Sequence, residues 1–435
     1  MNLLFANDRA GEYPPSWYAA STEPLAPFAP LKGDATADVV VIGAGFTGLS
    51  AALDLAEAGY DVALLEAQRV GWGASGRNGG QVGTGQRNDM EDIERSASAA
   101  DAKLLWQMTL DAKKRIKDQI ERHEIDAHWR SGVAYVTWKP GEVAGYHKNG
   151  EHLAQRYGYD RIRPLDKAAA DALVPSGVFA GGFLDEGAGH IHPLAFALGL
   201  ARACAAAGVR IFEGSPVTRF NPGDPATATT AGGRVTARYA ILACNGYLGG
   251  LHDGVAARVM PINNFIVATE PLGQAGAEAL ITRDVAVADS KFVVNYWRRS
   301  HDHRLVFGGG ETYGYRFPAD IAALVRPAML SIYPDLHDVR IDYAWGGTLA
   351  ITVSRMPYVR RLAPNVLTAS GYSGHGVGLA NQAGALMARA IQGTSEGFEA
   401  LTRLKTLPFP GGRALRSPTL ALAMSWYALR DRLGF

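Results

Sequence analysis

Uninterrupted apolar runs at 39–42 and 62–65 flank a stretch, 46–57, whose apolar residues return every three or four positions. From Val39 to Glu66 the chain therefore predicts strand, helix, strand. Gly43, Gly45 and Gly48 lie at the first strand-to-helix turn, and Glu66 closes the second strand. Farther on, Ile93, Ala97, Ala100, Leu104, Met108, Ala112, Ile116 and Ile120 form one stripe at helical spacing, which predicts a single long helix. The stretch 192–214 predicts a helix opening on Pro193 and closing on Gly208 before a strand, and 234–249 ends in an apolar strand and a glycine turn. From Ile262 to Val306 the pattern shortens to period two, and the runs flanking RRSHDHR predict an antiparallel hairpin. Residues 365–391 return to strand, glycine turn and helix, whereas 71–89 and 221–233 lack periodicity and predict a loop and a surface hairpin connection. The class expected is α/β.

The first turn carries chemistry. Its glycines let backbone approach a pyrophosphate, and the helix start offers unpaired N–H groups and a partial positive charge. Glu66 is placed to accept from an adenosine ribose and would repel a 2′-phosphate, which favours FAD or NAD over NADP. The chain beyond Glu66 favours FAD. A glycine loop, a long helix and non-parallel material replace further parallel units, and three glycine turns at 71–83, 243–250 and 371–378 are candidates to close over a buried flavin. The last opens a helix whose N-terminus could stabilise negative charge at the pyrimidine end of a reduced flavin.

Charge and composition mainly exclude. With 43 basic and 42 acidic residues the 435-residue chain has a net charge of +1, so no bulk field draws nucleic acid or anionic membrane. No stretch approaches the roughly 18 apolar residues of a membrane span. The start, MNLLFANDRAGEYPPSWYAAS, has early charges and prolines unlike a secretory signal, and Cys204 and Cys244 form neither a disulfide framework nor a metal spacing. A cytoplasmic location and a small-molecule partner are expected; oligomeric state stays open.

These motifs carry a family resemblance. SWYAAS, the glycine fingerprint, GWGASGRNGGQV, HIHPLAFALGLARACAAAGVRIFEGSPV, ARYAILACNGYLG, VATEPL, FVVNYWR, RLVFGGGETY, WGGTLAITVSRMP and GYSGHGV resemble FAD-dependent amine oxidases of the D-amino-acid oxidase and sarcosine oxidase superfamily, most closely the gamma-glutamylputrescine oxidase branch. The resemblance implies a Rossmann-type FAD-binding domain assembled from 1–90, 180–255 and 345–435, with an inserted, mainly antiparallel substrate domain from 91–179 and 256–344. It implies cofactor contacts from Gly43, Gly45, Phe46, Thr47, Gly48, Glu66 and Ala67; from Ser75, Gly76, Arg77, Asn78, Gly79, Gly80 and Gln81; from Val217; from Ala243, Asn245 and Gly246; and from Gly374, His375, Gly376 and Val377. Ser75, Arg77 and Asn78 would lie beside the isoalloxazine, Val217 against adenine, and Gly374 to Val377 at the pyrimidine edge. The activity implied is hydride transfer from an amine-bearing carbon to flavin, hydrolysis of the imine to an aldehyde, and reoxidation by dioxygen with release of hydrogen peroxide.

Two departures from relatives matter. Val306 stands where sarcosine oxidases resembling this chain carry a lysine, so either Arg77 or a protonated His375 stabilises developing superoxide, or electrons leave to another acceptor. Gly73 stands where some relatives tether flavin through histidine, and GGTLAITVSRMP has no cysteine, so FAD is expected to be non-covalent. For substrate, Tyr296 and Arg298 share one face of a strand and Trp297 takes the other. Arg298 either clamps a carboxylate or makes a surface ion pair. Glu270 either attracts an ammonium or is a solvated loop residue, Trp345 walls the pocket or is core, and His375 acts through its imidazole or only through its turn. The catalytic candidates are Arg77, His375, Tyr296 and Arg298. No metal site is expected: His301, Asp302 and His303 predict an exposed hairpin tip, and His190 and His192 predict structural residues. The amphipathic segment 420–433 is expected to dock on the FAD domain.

Overall fold

Val39 and Val41 point to one side of their strand and Val40 and Ile42 to the other. The computed structural model, which describes residues 2–394 and 396–410, buries the two pairs in separate apolar clusters. Burial on both faces is why the run does not alternate, as expected of a parallel sheet covered on both sides. Ala35–Ile42 runs parallel to Val62–Leu65 and to Arg234–Leu242. Arg210–Phe212 and Val366–Ser370 extend this sheet in parallel, and Tyr358–Ala363 edges it antiparallel. The helices Phe46–Glu57, Pro193–Ala206 and Gly376–Ile391 cover the Val39 side. Each fully buried leucine, such as Leu49 or Leu64, contributes about 1.5–3 kcal/mol to holding them there.

The second sheet has nine strands, running in space from Ile341–Ile351 through Met260–Thr269, Leu305–Thr312, Tyr296–Arg299, Ala286–Asp289, Arg130–Thr137 and Gly181–His190 to Gln81–Val82, with Ile162–Leu165 paired to Gly181–His190. Its pairings are antiparallel except that of Ala286–Asp289 with Arg130–Thr137. Cross-strand partners share a face. Arg298 opposes Val306, which opposes Ala268; Tyr296 opposes Gly308, which opposes Ile266, and Ile266 opposes Trp345. Val306, Ala268, Ile266 and Trp345 belong to the large cluster shared with the first sheet, whereas Trp297, Phe307 and Val267 bury in another cluster with Val325 and Met329 of the helix Ile321–Leu330. Tyr296 and Arg298 thus look toward the first sheet and Trp297 away from it.

Several expectations shift. The long apolar stripe is two helices, Met90–Ser96 and Ala99–Arg122, because the Ser98 side chain accepts from the Asp101 N–H at 3.1 Å and starts a new helix. The 221–233 connection contains a strand, Ala226–Thr229, paired on both sides. The 71–89 loop contains a helical turn, Ala74–Gly76, and the short strand Gln81–Val82. Gly181–His190 and Ile341–Ile351 pair wholly within the second sheet, although the expected boundaries at 180 and 345 put the first in the FAD-binding domain and cut the second. The helix Ala99–Arg122 packs against Gly376–Ile391 on the first-sheet side, although the expected division puts 91–179 in the substrate domain. Among the described residues no helix is long and apolar enough to cross a membrane. The 420–433 segment lies outside the described residues.

Candidate active site

Four glycine-bearing segments, far apart in sequence, meet at the carboxyl end of the parallel strands. Gly43 takes φ +106°, and a Cβ there would lie 2.8 Å from the Ala243 carbonyl oxygen; a Cβ on Gly48 would lie 1.9 Å from that of Gly43. Side chains complete the gathering. Ser75 Oγ accepts from the Phe46 N–H at 2.9 Å, Thr47 Oγ1 and the Tyr372 hydroxyl are 2.7 Å apart, and Asn245 Oδ1 accepts from the Gly371 N–H at 2.9 Å. Two helices open here, on Gly45 and His375, and neither of these residues makes a side-chain capping bond. Apart from the Phe46 N–H, which Ser75 takes, their first-turn amides are thus offered to a ligand.

Glu66 is pinned beside the first turn. Its carboxylate accepts from the Ala44 N–H at 2.7 Å and the Gln68 N–H at 2.9 Å, and burial pushes its pKa up to about 6 against these bonds and one from the Ala67 amide. Val217 packs beside the cluster that holds Ile42, Leu65 and Leu242, and the Ala243 N–H donates to the Ile42 carbonyl at 2.9 Å.

The loop after Glu66 is stitched by its own residues. Asn78 donates to the Ala74 and Ser75 carbonyls at 3.0 and 2.9 Å and accepts from the Gly80 N–H at 2.8 Å, so its side chain shapes the turn. A Cβ at Gly76 would lie 2.3 Å from the Gly71 oxygen, and one at Gly79 would strike the Tyr296 ring at 2.6 Å. Gln81 Nε2 donates to the Val287 carbonyl at 2.9 Å, tying the loop to the second sheet. A Cβ on Gly246 would lie 3.0 Å from the Leu349 oxygen.

Arg77 is engaged in a different way from the one expected, and only its Nη2 is buried without a partner among the described residues. Its guanidinium lies 4.2 Å from the Trp72 ring centroid, donates through Nε to the Trp72 carbonyl at 2.7 Å, and pairs through Nη1 with Asp8 at 2.9 Å. Asp8 neutralises it, which removes the case for Arg77 as the free positive charge beside the flavin. His375 does not supply that charge either. Burial, helped by the charge of Arg87, pushes its pKa down to about 3, so the imidazole is neutral near pH 7.

Of the four catalytic candidates, Arg298 is the buried cation that remains. Its Nε donates to the Gly79 carbonyl at 3.0 Å, Nη1 to the Arg299 carbonyl at 3.2 Å and Nη2 to the Tyr18 hydroxyl at 3.3 Å. It sits over the Trp17 and Tyr18 rings at 5.8 and 5.7 Å. Among the described residues no carboxylate lies within 4 Å, so the expected alternative of a surface ion pair is wrong. Val306 stands directly across from it, and a lysine at that position would put two buried cations side by side. Trp345 closes the same face: its Nε1 donates to the Arg77 carbonyl at 3.0 Å and its ring meets Tyr18 edge-on at 5.2 Å.

Other candidates fall away from the site. Glu270 pairs with Arg340 at 3.3 Å and accepts from the Arg340 N–H at 3.0 Å, which leaves no case for it on a substrate ammonium. Asp302 accepts from Trp17 Nε1 at 3.2 Å, and exposed His301 stacks on His128 at 4.1 Å, so this hairpin tip is docked rather than free. His192 Nδ1 accepts from the Ala195 N–H at 3.1 Å and caps a helix. No group of three metal-ligating side chains exists among the described residues. Sequence reasoning missed Asp8, Trp17, Tyr18 and Tyr372. Besides the SWYAAS resemblance, the Ser16 helix cap before Trp17 and Tyr18 marked that segment locally, since Ser16 Oγ accepts from the Ala19 N–H at 3.1 Å.

The gathered segments fit a dinucleotide. Gly43 and Gly48 leave no room for a Cβ, two helix starts are open, and His375 Nδ1 is buried without a partner among the described residues. The comparisons agree. The chain is 42% identical over 424 residues to the gamma-glutamylputrescine oxidoreductase of Escherichia coli (strain K12), covering 97% of this chain and 99% of that one. It is 43% identical to the probable oxidoreductase OrdL of Rhizobium meliloti (strain 1021), with 96% and 97% covered. Among solved structures, glycine oxidase from Geobacillus kaustophilus superposes with a TM-score of 0.70 at 21% identity, covering 82% of this chain and 95% of that one, and so shares the fold. Residues 38–390 match the DAO family, FAD dependent oxidoreductase, and the chain belongs to that family.

Proposed function

We propose that this FAD-dependent oxidoreductase oxidises the primary amine of a γ-glutamylated diamine, γ-glutamylputrescine or a close analogue. The near full-length likeness to the E. coli gamma-glutamylputrescine oxidoreductase carries the reading. The redox chemistry would come from bound FAD, as acceptor of hydride from the carbon bearing a neutral amine and donor of electrons to dioxygen; the amine would become an imine that water hydrolyses to aldehyde and ammonia, with release of hydrogen peroxide. The chain binds and orients. The Thr47 and Gly48 amides would hold the pyrophosphate, Glu66 the adenosine ribose and Val217 the adenine, and the Gly376 and Val377 amides, with the dipole of their helix, would serve the pyrimidine edge. Ser75 to Gln81 and Ala243 to Gly246 shape the cavity around the ring, and FAD is held non-covalently. The Tyr296, Val306 and Trp345 face excludes water. Arg298, a fixed cation next to the flavin loop, lowers the cost of negative charge as dioxygen is reduced, in place of a lysine at Val306.

Anaerobic mixing with γ-glutamyl amines, free polyamines, D-amino acids and N-methyl amino acids tests the reading. Bleaching by γ-glutamyl amines with aerobic peroxide release supports it, and bleaching only by another class rejects it. The apolar Val306 favours one second reading, in which the same oxidation passes electrons to an acceptor other than dioxygen. Slow reoxidation of the bleached flavin by air would select that reading.

A further inference from the structure

The register of the second sheet sets Glu311 opposite Asn264, whose side chain accepts from the Tyr296 hydroxyl, so Glu311 shares the flavin-facing side with Tyr296 and Arg298. The Tyr313 hydroxyl donates to Glu311 Oε2 at 3.1 Å, and no basic group lies within 4 Å of the carboxylate among the described residues. Two cations are nonetheless close enough to act on it electrostatically: half-buried Arg355 and exposed Arg87. Neither guanidinium has a hydrogen-bond or ion-pair partner among the described residues, and Arg355 holds φ +62°, a left-handed conformation unusual for a residue other than glycine. Asn88 Nδ2 donates to the Ser354 carbonyl at 3.1 Å and fastens the two arginine-bearing loops together. The Arg87 charge also reaches His375, so the group lies between the flavin end of the cavity and solvent.

An acid and two guanidiniums that met would neutralise one another. Held near but apart, they leave the arrangement that a zwitterion completes, its ammonium on the acid and its carboxylate on the guanidiniums. We propose that Glu311, Arg355 and Arg87 form the subsite for a zwitterionic α-amino-acid head group at the end of the amine remote from the oxidised carbon. The proposal rests on the γ-glutamyl reading above and adds where that group is read. Burial holds the Glu311 carboxyl above its ordinary pKa even with Tyr313 and both arginines nearby, and an ammonium beside it acts in the opposite direction.

The test uses the holoenzyme with three amides of putrescine: γ-glutamyl, glutaryl, which lacks the α-ammonium, and 4-aminobutanoyl, which lacks the α-carboxylate. Glu311→Gln raises KM for the γ-glutamyl amide by about tenfold or more and leaves that for the glutaryl amide unchanged. Arg355→Gly, which tolerates the left-handed backbone, raises KM for both carboxylate-bearing amides and spares the 4-aminobutanoyl amide. FAD content and the limiting reduction rate stay at wild-type values in both variants. Equal KM for all three amides in the wild type overturns the subsite while leaving amine oxidation intact, and so does a uniform loss across the three in either variant. Failure of every γ-glutamyl amide to bleach the wild-type flavin, with bleaching by another amine class, removes the functional reading and the subsite together.

Discussion

Two turns in this protein have the same outline, strand to glycines to helix, and are built on different grounds. At Gly43 to Gly48 the requirement is space: a Cβ on Gly48 would sit 1.9 Å from the Gly43 oxygen. At Gly371 to Gly376 the requirement is mainly conformation and attachment. Gly374 holds φ +93° with nothing within 4 Å of a Cβ, and the turn is fastened by Asn245 on Gly371 and by Thr47 with Tyr372. Backbone sterics thus fix the first turn locally, while the second depends on partners elsewhere in the chain.

The largest test of that contrast is Gly48→Ala, expected to yield colourless protein without FAD, because backbone cannot yield at that distance. Asp8→Asn probes the scaffold between the turns. It strips Arg77 of its carboxylate, and a loss of about 3–5 kcal/mol in urea unfolding is expected. An intermediate effect belongs to His375 at the second turn. Its folded pKa, about 3, lies below the ordinary 6.5, so the unfolded chain takes up the proton first and stability falls as pH drops below 6.5. Between pH 6.5 and 5 this amounts to about 1.5 kcal/mol in urea unfolding, and His375→Gln should remove it. The smallest effect on flavin content is that of Gly374→Ala, expected to cost about 1–2 kcal/mol of stability while the protein stays yellow. Loss of flavin in Gly374→Ala equal to that in Gly48→Ala would erase the distinction between the turns.

Legibility in the sequence divides along the same line. The fingerprint, the helix opening on Pro193 and the hairpin around RRSHDHR were readable because their causes are local: glycine sterics, a proline at a helix start, period-two alternation. The face shared by Tyr296 and Arg298 was readable for that reason too. The partners those side chains meet were not. Arg77 takes its charge partner, Asp8, from 69 residues upstream, and Arg298 meets Tyr18 across 280 residues, so nothing near either arginine announced its role. The single helix expected from 93 to 120 failed at Ser98, where one capping bond outweighed an unbroken apolar period. Sheet membership of Gly181–His190 was hidden because GGFLDEGAGH, rich in glycine and carrying two acids, has no apolar pattern to mark which sheet will pair with it.

The ties that assemble the cavity also set an order of events during synthesis. Asn245 must wait for Gly371, 126 residues later, and Thr47 for Tyr372, 325 residues later. A growing chain therefore exposes a dinucleotide turn long before the ring end of the site can exist. Flavin capture should consequently report completion of the Gly376–Ile391 helix, and chains truncated before it should emerge without colour however well their first strands have formed.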